Sequence, residues 1–460
     1  MSHAPGGALR HHVDPGGAGP GACRPAVPRG EGAEEADRLA VREGCDRGRA
    51  AGVLLVLPPP LGGVRRRLED LGEEGEEGRG VRGPGGPDRQ SHILDPIVSR
   101  PAPLLSAVVV SYRSAEPAVA TLASLREDAA RAAVDLESIV VVNSGDPAEA
   151  EAVRPHADRV LFPGRNLGYA GGLNAGVEAA RGEVLFLANA DLVFLEGSVG
   201  ELVDAALSGG RVAAGPAFYS DVGASLLHPP AEEPGPLEAC RRVLEASPEG
   251  RERLFRREAR RALRARQAAA RGERRAAGSL RGALLSVPRA ALRAAGPFDE
   301  GYALYYEEND WERRLRALGG RLVQAFGARV VHRFNLSARN EPRAAEWFAR
   351  SERRFFVSHY GERGRKALET LASSPERRSA AEPLPGGVLS FPGGRRGETA
   401  IALSPLPSLR PFVLAVAGPG EPSWEPPPDV REAIRGATWW VRAFDPLTLE
   451  TLGEGTLTSE

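Results

Sequence analysis

Apolar runs of strand length alternate with segments of helical spacing from Leu104 onward, and this alternation constrains the fold more than any other feature. Residues 105–112 form a β-branched apolar run typical of a buried strand, and residues 116–125 follow with helical spacing. The pattern continues with apolar runs at 138–142 and 184–188. Strands that alternate with helices predict an α/β fold with a mostly parallel, doubly wound sheet, whose ligands bind at the carboxyl ends of the strands.

Composition and apolar periodicity divide the 460 residues of the chain into three parts. Residues 1–100 are rich in Gly, Pro, Arg and Glu without apolar periodicity, which predicts a disordered extension and equally fits a start codon assigned too far upstream. Residues 101–375 form the α/β domain, with an arginine-rich helical insert at 236–275. That insert is interpreted as a solvated amphipathic helix, with an anionic-lipid or acceptor-binding helix as the alternative. Residues 376–460 predict a Pro- and Gly-rich linker and a small β-rich module.

Composition narrows the classes of partner and compartment. With 60 basic against 61 acidic residues the chain lacks the charge typical of a nucleic-acid-binding protein, so no nucleic-acid partner is expected. Its three cysteines show no CxxC or paired spacing, which predicts neither a disulfide framework nor a zinc site. No apolar run reaches the roughly 18 residues that span a bilayer. We expect a cytoplasmic protein, either free or peripheral at the inner face of the plasma membrane.

A carboxylate leaves the fourth predicted strand at Asn189-Ala190-Asp191. A carboxylate at such a strand end suits Mg²⁺ or Mn²⁺ shared with a diphosphate, because hard cations prefer oxygen ligands. Taken alone, an Asp at this place is more often a turn former or a helix cap.

A second cluster contains Asn166, Gly168 and Asn174. Glycine lets the backbone approach a ligand, and Asn side chains offer donors and acceptors to a nucleotide. A tight loop with close helix–sheet packing explains the same residues equally well.

A third cluster combines Glu307, Glu308 and Asp310 with Arg314 on one predicted helix. Asp310 and Arg314 are four residues apart, which is the usual spacing of a surface ion pair. Aromatic neighbours desolvate a carboxylate, raise its pKa and favour a general base. The aromatic neighbours here are Tyr302, Tyr305, Tyr306 and Trp311.

An ordered series of motifs resembles the family 2 glycosyltransferases, especially their rhamnosyltransferase-like branch. The motifs lie at residues 107–112, 166–176, 180–191, 282–285, 296–300, 305–310 and 330–332, in the order and at the distances of that family. The resemblance covers about residues 104–361, and the series is more specific than any single motif.

The resemblance implies a GT-A fold, a nucleoside diphosphate sugar donor, inversion at the anomeric carbon and a Mg²⁺ or Mn²⁺ cofactor. It implies that Asp191 and His332 bind the metal. Glu308 lies where the family usually has the Asp of its Glu-Asp motif, so Glu308 is the predicted base, supported by Glu307 and Asp310. Substrate- or nucleotide-binding roles are predicted for Ser111, Tyr112, Asn143, Asp146, Asn166, Gly168, Asn174, Asn189 and Arg314.

Two departures from the family pattern concern the nucleotide and the base. The family's Asp-Asn pair after the second strand is shortened to Asn143-Ser144-Gly145-Asp146, which alters the expected contact with the nucleotide base. Glu308 is one methylene longer than the family's Asp.

The predicted function is sugar transfer from a nucleoside diphosphate sugar to a hydroxyl of a glycan or lipid-linked glycan, in polysaccharide or glycoconjugate synthesis. The alternative is a non-catalytic paralogue that binds sugar nucleotides or acts as a scaffold. A nucleotidyltransferase ranks third, because the loop after the first predicted strand, Arg113-Ser114-Ala115-Glu116, contains no glycine to cradle a phosphate.

Overall fold

The apolar runs form the centre of a nine-stranded sheet. The computed structural model describes residues 104–302, 304–332, 343–371, 382–384, 387–391 and 396–458, so the predicted extension at 1–100 lies outside the described residues. The strands of this sheet are β1 (Leu105–Ser111), β2 (Leu136–Val142), β3 (Arg159–Leu161), β4 (Val184–Asn189), β5 (Leu192–Phe194), β6 (Val212–Tyr219), β7 (Arg274–Ala276), β8 (Leu284–Pro288) and β9 (Arg321–His332).

The order of these strands separates a parallel half of the sheet from a mixed half. The path is β3-β2-β1-β4-β8-β6-β9-β5, with β7 paired to β9. Strands β1 to β4 pair in parallel, whereas β8 runs antiparallel to both β4 and β6. The carboxyl ends of β1, β2 and β4 therefore meet the amino end of β8 at one edge of the sheet. This mixed sheet with its covering helices is a GT-A fold, which confirms the predicted fold class.

Helices cover both faces of the sheet and follow the strands along the chain. They are α1 (Ala115–Arg131), α2 (Pro147–Val153), α3 (Gly168–Ala179), α4 (Ser198–Ala206), α5 (Pro236–Glu245), α6 (Pro248–Ala270), α7 (Arg289–Ala295), α8 (Glu307–Ala317) and α9 (Ala344–Leu371), the last interrupted by non-helical backbone at Gly361. Helix α3 lies close to β1, because a Cβ added to Gly176 would stand 2.2 Å from Cγ1 of Val108. Across the described residues, no helix is both long and apolar enough to span a bilayer.

The chain ends in small antiparallel sheets, as the sequence predicts. One sheet contains β11 (Thr399–Ser404), β12 (Val413–Ala417), β14 (Thr438–Phe444) and β15 (Thr451–Thr458), and the other pairs β10 (Leu389–Ser390) with β13 (Ser423–Trp424). A short helix, α10 (Pro428–Ala433), precedes β14.

The C-terminal sheets pack against the arginine-rich helix α6. Phe255 of α6 contacts Phe412 and Phe444, with ring centroids 5.8 and 5.4 Å apart. Arg442 adds a 2.9 Å ion pair with Glu252 of the same helix. Helix α6 therefore buries one face against this module, in addition to the amphipathic packing predicted from sequence.

Candidate active site

A cavity of about 390 Å³ lies where the carboxyl ends of β1, β2 and β4 meet the amino ends of β8 and α8. This is the edge at which ligands of doubly wound sheets bind. Nine of the predicted site residues line it: Tyr112, Asn143, Asn166, Gly168, Asn189, Asp191, Glu307, Glu308 and His332.

The turn that carries Asp191 is held rigidly beside His332. The hydroxyl of Thr121 lies 2.9 Å from the carbonyl oxygens of both Ala190 and Leu192 and accepts a 2.9 Å hydrogen bond from the Leu192 N–H. The β5–β9 register pairs Leu192 with His332. As a result, Nε2 of His332 lies 3.4 Å from Oδ1 of Asp191.

The Asp191 and His332 pair fits a divalent cation that it would share with a ligand. Asp191 is 8% exposed, and its Oδ1 atom is buried without a hydrogen-bond partner among the described residues. Over the described ranges, no group of three or more His, Cys, Asp or Glu side chains stands ready to hold a metal. One carboxylate and one imidazole suit Mg²⁺ or Mn²⁺ only if phosphate oxygens and water supply the remaining ligands.

The side of the cavity at β1 and β2 is organised by neutral hydrogen bonds. The amide nitrogen of Asn143 donates to Oδ1 of Asn166 at 3.1 Å and to the carbonyl of Gly168 at 2.9 Å. Its amide oxygen accepts from the Leu167 N–H at 2.8 Å. Asn143 therefore fixes the loop that enters α3.

The opposite side of the cavity carries two glutamates at the start of α8. The chain enters this helix through Tyr305 and Tyr306, whose φ values of 67° and 71° are unusual for residues other than glycine. Backbone strain of this kind is concentrated at functional sites. Glu307 is 3% exposed, and within the part of the chain that the structure describes the buried Oε2 atoms of Glu307 and Glu308 have no hydrogen-bond partners.

Glycine 282 makes room for Glu308. A Cβ on Gly282 would lie 2.9 Å from Cδ and 3.0 Å from Cγ of that side chain. The absence of a side chain at 282 thus determines where the Glu308 carboxylate sits.

Burial raises the pKa of both carboxyl groups. For Glu307 the pKa rises well above its usual value because burial penalises the charged form and the neighbouring Glu308 repels a second charge. For Glu308 burial again raises the pKa, and nearby backbone N–H groups offset part of the rise. The phenol of Tyr169, which donates to the Gly282 carbonyl at 3.1 Å, has a raised pKa through burial and the nearby acids.

Two residues predicted to contact the nucleotide do not line the cavity. The hydroxyl of Ser111 donates to the buried carboxylate of Glu149, which also accepts a 2.9 Å hydrogen bond from the Ser114 N–H. Asp146 caps α2 by accepting from the Ala148 N–H at 2.9 Å. The structure places Ser111 and Asp146 outside the cavity lining and gives both of them structural partners.

Three further predicted residues also lie outside the lining. Asp310 accepts from Arg314 Nε and from His359 Nε2, each at 2.9 Å, which is the ion-pair interpretation left open by the sequence. Asn174 exchanges 2.9 Å hydrogen bonds with the backbone N–H and carbonyl of Phe298.

Sequence reasoning missed two charged residues in the lining, Glu232 and Arg281. Arg281 immediately precedes the glycine of the 282–285 motif, and Glu232 lies in a segment without regular structure between β6 and α5. Their proximity to the predicted motifs is the only sequence signal for either residue.

A model of the glycosyl transferase family 2 matches residues 106–268. Over these residues the chain is similar to a family 2 glycosyltransferase domain. The matched segment includes the metal candidate Asp191 and ends before Glu308 and His332, and the rhamnosyltransferase-like branch stays a prediction. No curated protein sequence matches the chain.

Three solved structures are similar to the chain, each over 59% of its length. GalNAc-T7 with UDP, GalNAc and Mn²⁺ is 15% identical with a TM-score of 0.38, and the chain covers 55% of its length. The mannosyltransferase PcManGT from Pyrobaculum calidifontis with GDP-Man and Mn²⁺ is 16% identical (TM-score 0.35, 74% of that chain), and S. aureus TarS 1-349 is 13% identical (TM-score 0.35, 69% of that chain). Likeness this distant carries nothing about substrate or mechanism.

Proposed function

We propose that this family 2 domain is an inverting, metal-dependent glycosyltransferase that moves a sugar from a nucleoside diphosphate to an acceptor hydroxyl. One observation carries the proposal. A single cavity holds an unpartnered carboxylate oxygen beside an imidazole, at Asp191 and His332, and faces it with unpartnered carboxylate oxygens at Glu307 and Glu308.

The base in this proposal is Glu308. Its Oε2 atom has no donor among the described residues, so it accepts the proton of the acceptor hydroxyl as the hydroxyl oxygen attacks the anomeric carbon. The new carbon–oxygen bond forms as the bond to the diphosphate breaks, and the nucleoside diphosphate leaves with the electron pair. The raised pKa of Glu308 makes it a stronger proton acceptor than an exposed glutamate. A single displacement by one base inverts the anomeric configuration.

Asp191 and His332 would hold the divalent cation, which when bound neutralises charge on the leaving diphosphate. Asn143 orients the loop that contains Asn166 and Gly168 toward the same cavity, where the nucleotide would bind. We further propose a glycan or lipid-linked glycan acceptor, a role in polysaccharide synthesis, and a cytoplasmic location with peripheral membrane contact.

Binding of donors tests the proposal directly. Thermal shifts of the full chain are measured with a panel of nucleotide sugars, with and without Mn²⁺, because a ligand of the native state raises the melting temperature. We expect one donor to raise the melting temperature in the presence of Mn²⁺, and Asp191→Ala to remove the Mn²⁺-dependent part of the shift.

Turnover separates the enzyme from a binding protein. Slow donor hydrolysis by the wild-type chain, or transfer to added acceptors, supports the proposal. Donor binding with neither reaction would identify a sugar-nucleotide-binding paralogue instead. Glu300→Gln, an exposed change outside the cavity lining, is the control for effects on folding.

A further inference from the structure

Arg281 lines the cavity on the side of Glu308, away from the ends of β1 and β2. The residue after it, Gly282, lies against Glu308 and leads into β8, which is separated from β1 by β4. If Glu308 takes the proton from the acceptor, then Arg281 stands on the side from which the acceptor approaches. This position depends on the function proposed above.

The guanidinium group of Arg281 is only partly satisfied by the protein. Its Nη2 atom donates to the carbonyl of Pro229 at 2.8 Å, and across the described ranges no carboxylate forms a hydrogen bond or ion pair with it. A guanidinium group has five N–H donors in a planar fork that suits carboxylates and phosphates. Several of these donors therefore remain for a ligand.

The charge of Arg281 is only partly offset by its surroundings. Burial, together with the nearby charge of Arg261, lowers its pKa to about 10, although Glu258 offsets part of the effect. Glu258 itself is bound by Arg261 at 2.6 Å, so that its charge is shared with a second cation. A half-buried guanidinium group to which no carboxylate of the described residues is bound gains from an anionic ligand, because charge-assisted hydrogen bonds are the strong ones.

A second arginine, Arg261, binds the segment of the cavity wall next to Arg281. Arg261 donates to the Pro230 carbonyl at 2.8 Å and forms a 3.1 Å ion pair with Glu232, which also pairs with Arg257. Glu232 is thus engaged by other arginines, so this cavity-lining acid does not serve as the partner of Arg281.

We propose that Arg281 forms an anion subsite in the acceptor half of the cavity, so that the acceptor carries a carboxylate or phosphate group near the hydroxyl that is glycosylated. The planar fork of the arginine holds that group and orients the hydroxyl toward Glu308. The acceptor is then an acidic glycan, or a glycan linked through a phosphate.

Matched acceptor analogues test the subsite. Calorimetry measures binding of methyl glucuronide, glucose 6-phosphate and methyl glucoside to the full chain saturated with Mn²⁺ and UDP or GDP, so that the diphosphate position is already filled. We expect at least one of the two anionic probes to bind about 10-fold to 100-fold more tightly than methyl glucoside, as for a hydrogen bond between charged groups. Preference between the glucuronide and the phosphate distinguishes the two sources of negative charge.

Two arginines, one before and one after β8, show whether the preference for an anionic probe depends on Arg281. Arg281→Gln should remove the preference for the anionic probe, while the affinity for the nucleoside diphosphate stays within about twofold. Arg281→Lys keeps the positive charge, and this variant should fold and retain part of the preference for the anionic probe. Arg289→Gln is the matched control, because Arg289 is also partly buried, donates to a backbone carbonyl and lies outside the cavity lining.

Two outcomes would overturn the inference. One is wild-type protein that binds the neutral and anionic probes equally, and the other is loss of nucleoside diphosphate binding in Arg281→Gln, which would make Arg281 a donor contact. Failure of the proposed function looks different, because the wild-type chain would then show neither nucleotide binding nor turnover.

Discussion

Two glutamates of this domain have buried carboxyl groups whose pKa values are shifted in opposite directions. Burial alone would raise the pKa of Glu149, but hydrogen bonds from Ser111, Ser144 and the backbone of Ser114 and Arg113 lower it below its usual value. At the start of α8, the carboxylate of the half-buried Glu308 is shielded from water as well, yet its pKa is raised and its Oε2 atom lacks a donor among the described residues. Hydrogen bonds that include two hydroxyl groups accompany the lowered pKa of Glu149, whereas Glu308 keeps one buried oxygen without a donor among the described residues, and that oxygen is available for chemistry.

Replacing the base should have the largest effect. Glu308→Gln keeps the shape of the side chain and removes its ability to accept a proton, so we expect kcat for transfer to fall about 10²- to 10⁴-fold. Donor affinity, measured by calorimetry, should change little. Near wild-type transfer by this variant would end the assignment of Glu308 as the base.

Replacing the supporting carboxylate should affect stability instead. Glu149→Gln weakens the acceptor for the Ser111 hydroxyl and two backbone N–H groups, which should cost about 1 to 3 kcal/mol of unfolding free energy at pH 7. Because the folded-state pKa of Glu149 is lowered, its contribution is present above the unfolded value and is lost as the pH falls through the folded value. Urea denaturation at pH 7 and at lower pH measures this difference, and an equal cost at both would contradict it.

Glu312, a third glutamate of α8, shows that burial can raise a pKa even where hydrogen bonds lower it. Burial raises the pKa of Glu312 to about 8, even though it accepts from Ser279 at 2.7 Å and from the Leu280 N–H at 2.8 Å. The folded state therefore holds a proton that the unfolded chain has lost, and stability falls as the pH rises from about 4.5 to about 8.

Glu312→Gln should remove that pH dependence. The wild-type chain is expected to lose roughly 1.4 kcal/mol per pH unit through this group, and the variant is not. Melting temperatures at pH 6 and pH 7 provide the measurement. A variant with the same slope as the wild-type chain would show that Glu312 ionises normally.

Replacing the neighbour of the base should have the smallest effect. Burial and the charge of Glu308 hold the pKa of Glu307 well above its usual value, so Glu307 keeps its proton while Glu308 ionises. Glu307→Gln imitates this neutral form, and the acidic limb of the pH–kcat profile should therefore move by less than about 0.5 pH unit, since one unit corresponds to 1.36 kcal/mol. A limb that moves down by a full unit or more would show that Glu307 carries a charge while Glu308 ionises.

Local pattern was enough to predict the parallel half of the sheet, because β1, β2 and β4 are mostly apolar runs that end at, or are followed by, a polar residue. The same reasoning found Asp191 at the end of β4. It did not find that Ser111 is bound to Glu149, since that partner lies 38 residues away on α2. Segments that are distant in sequence meet only through the order of the strands in the sheet. The position of Arg281 in the cavity depends on that order, so local sequence did not indicate it.

Helix α8 shows where prediction from the local sequence fails. Its four acidic residues, Glu307, Glu308, Asp310 and Glu312, look alike in sequence, and the i,i+4 spacing correctly allowed Asp310 and Arg314 to be an ion pair. Nothing local distinguishes Glu308 from Asp310. The difference comes from Gly282 on one side and His359 on the other, both supplied by the tertiary fold.

The space above Gly282 also bears on how such a domain changes over generations. A methyl group at this position would stand 2.9 Å from Cδ of Glu308, so the carboxylate would have to move. One substitution at a residue without any functional group of its own therefore displaces the proposed base and leaves the amino acids at 191 and 143 unchanged. In related sequences, we expect a residue other than glycine at this position to accompany a change at position 308.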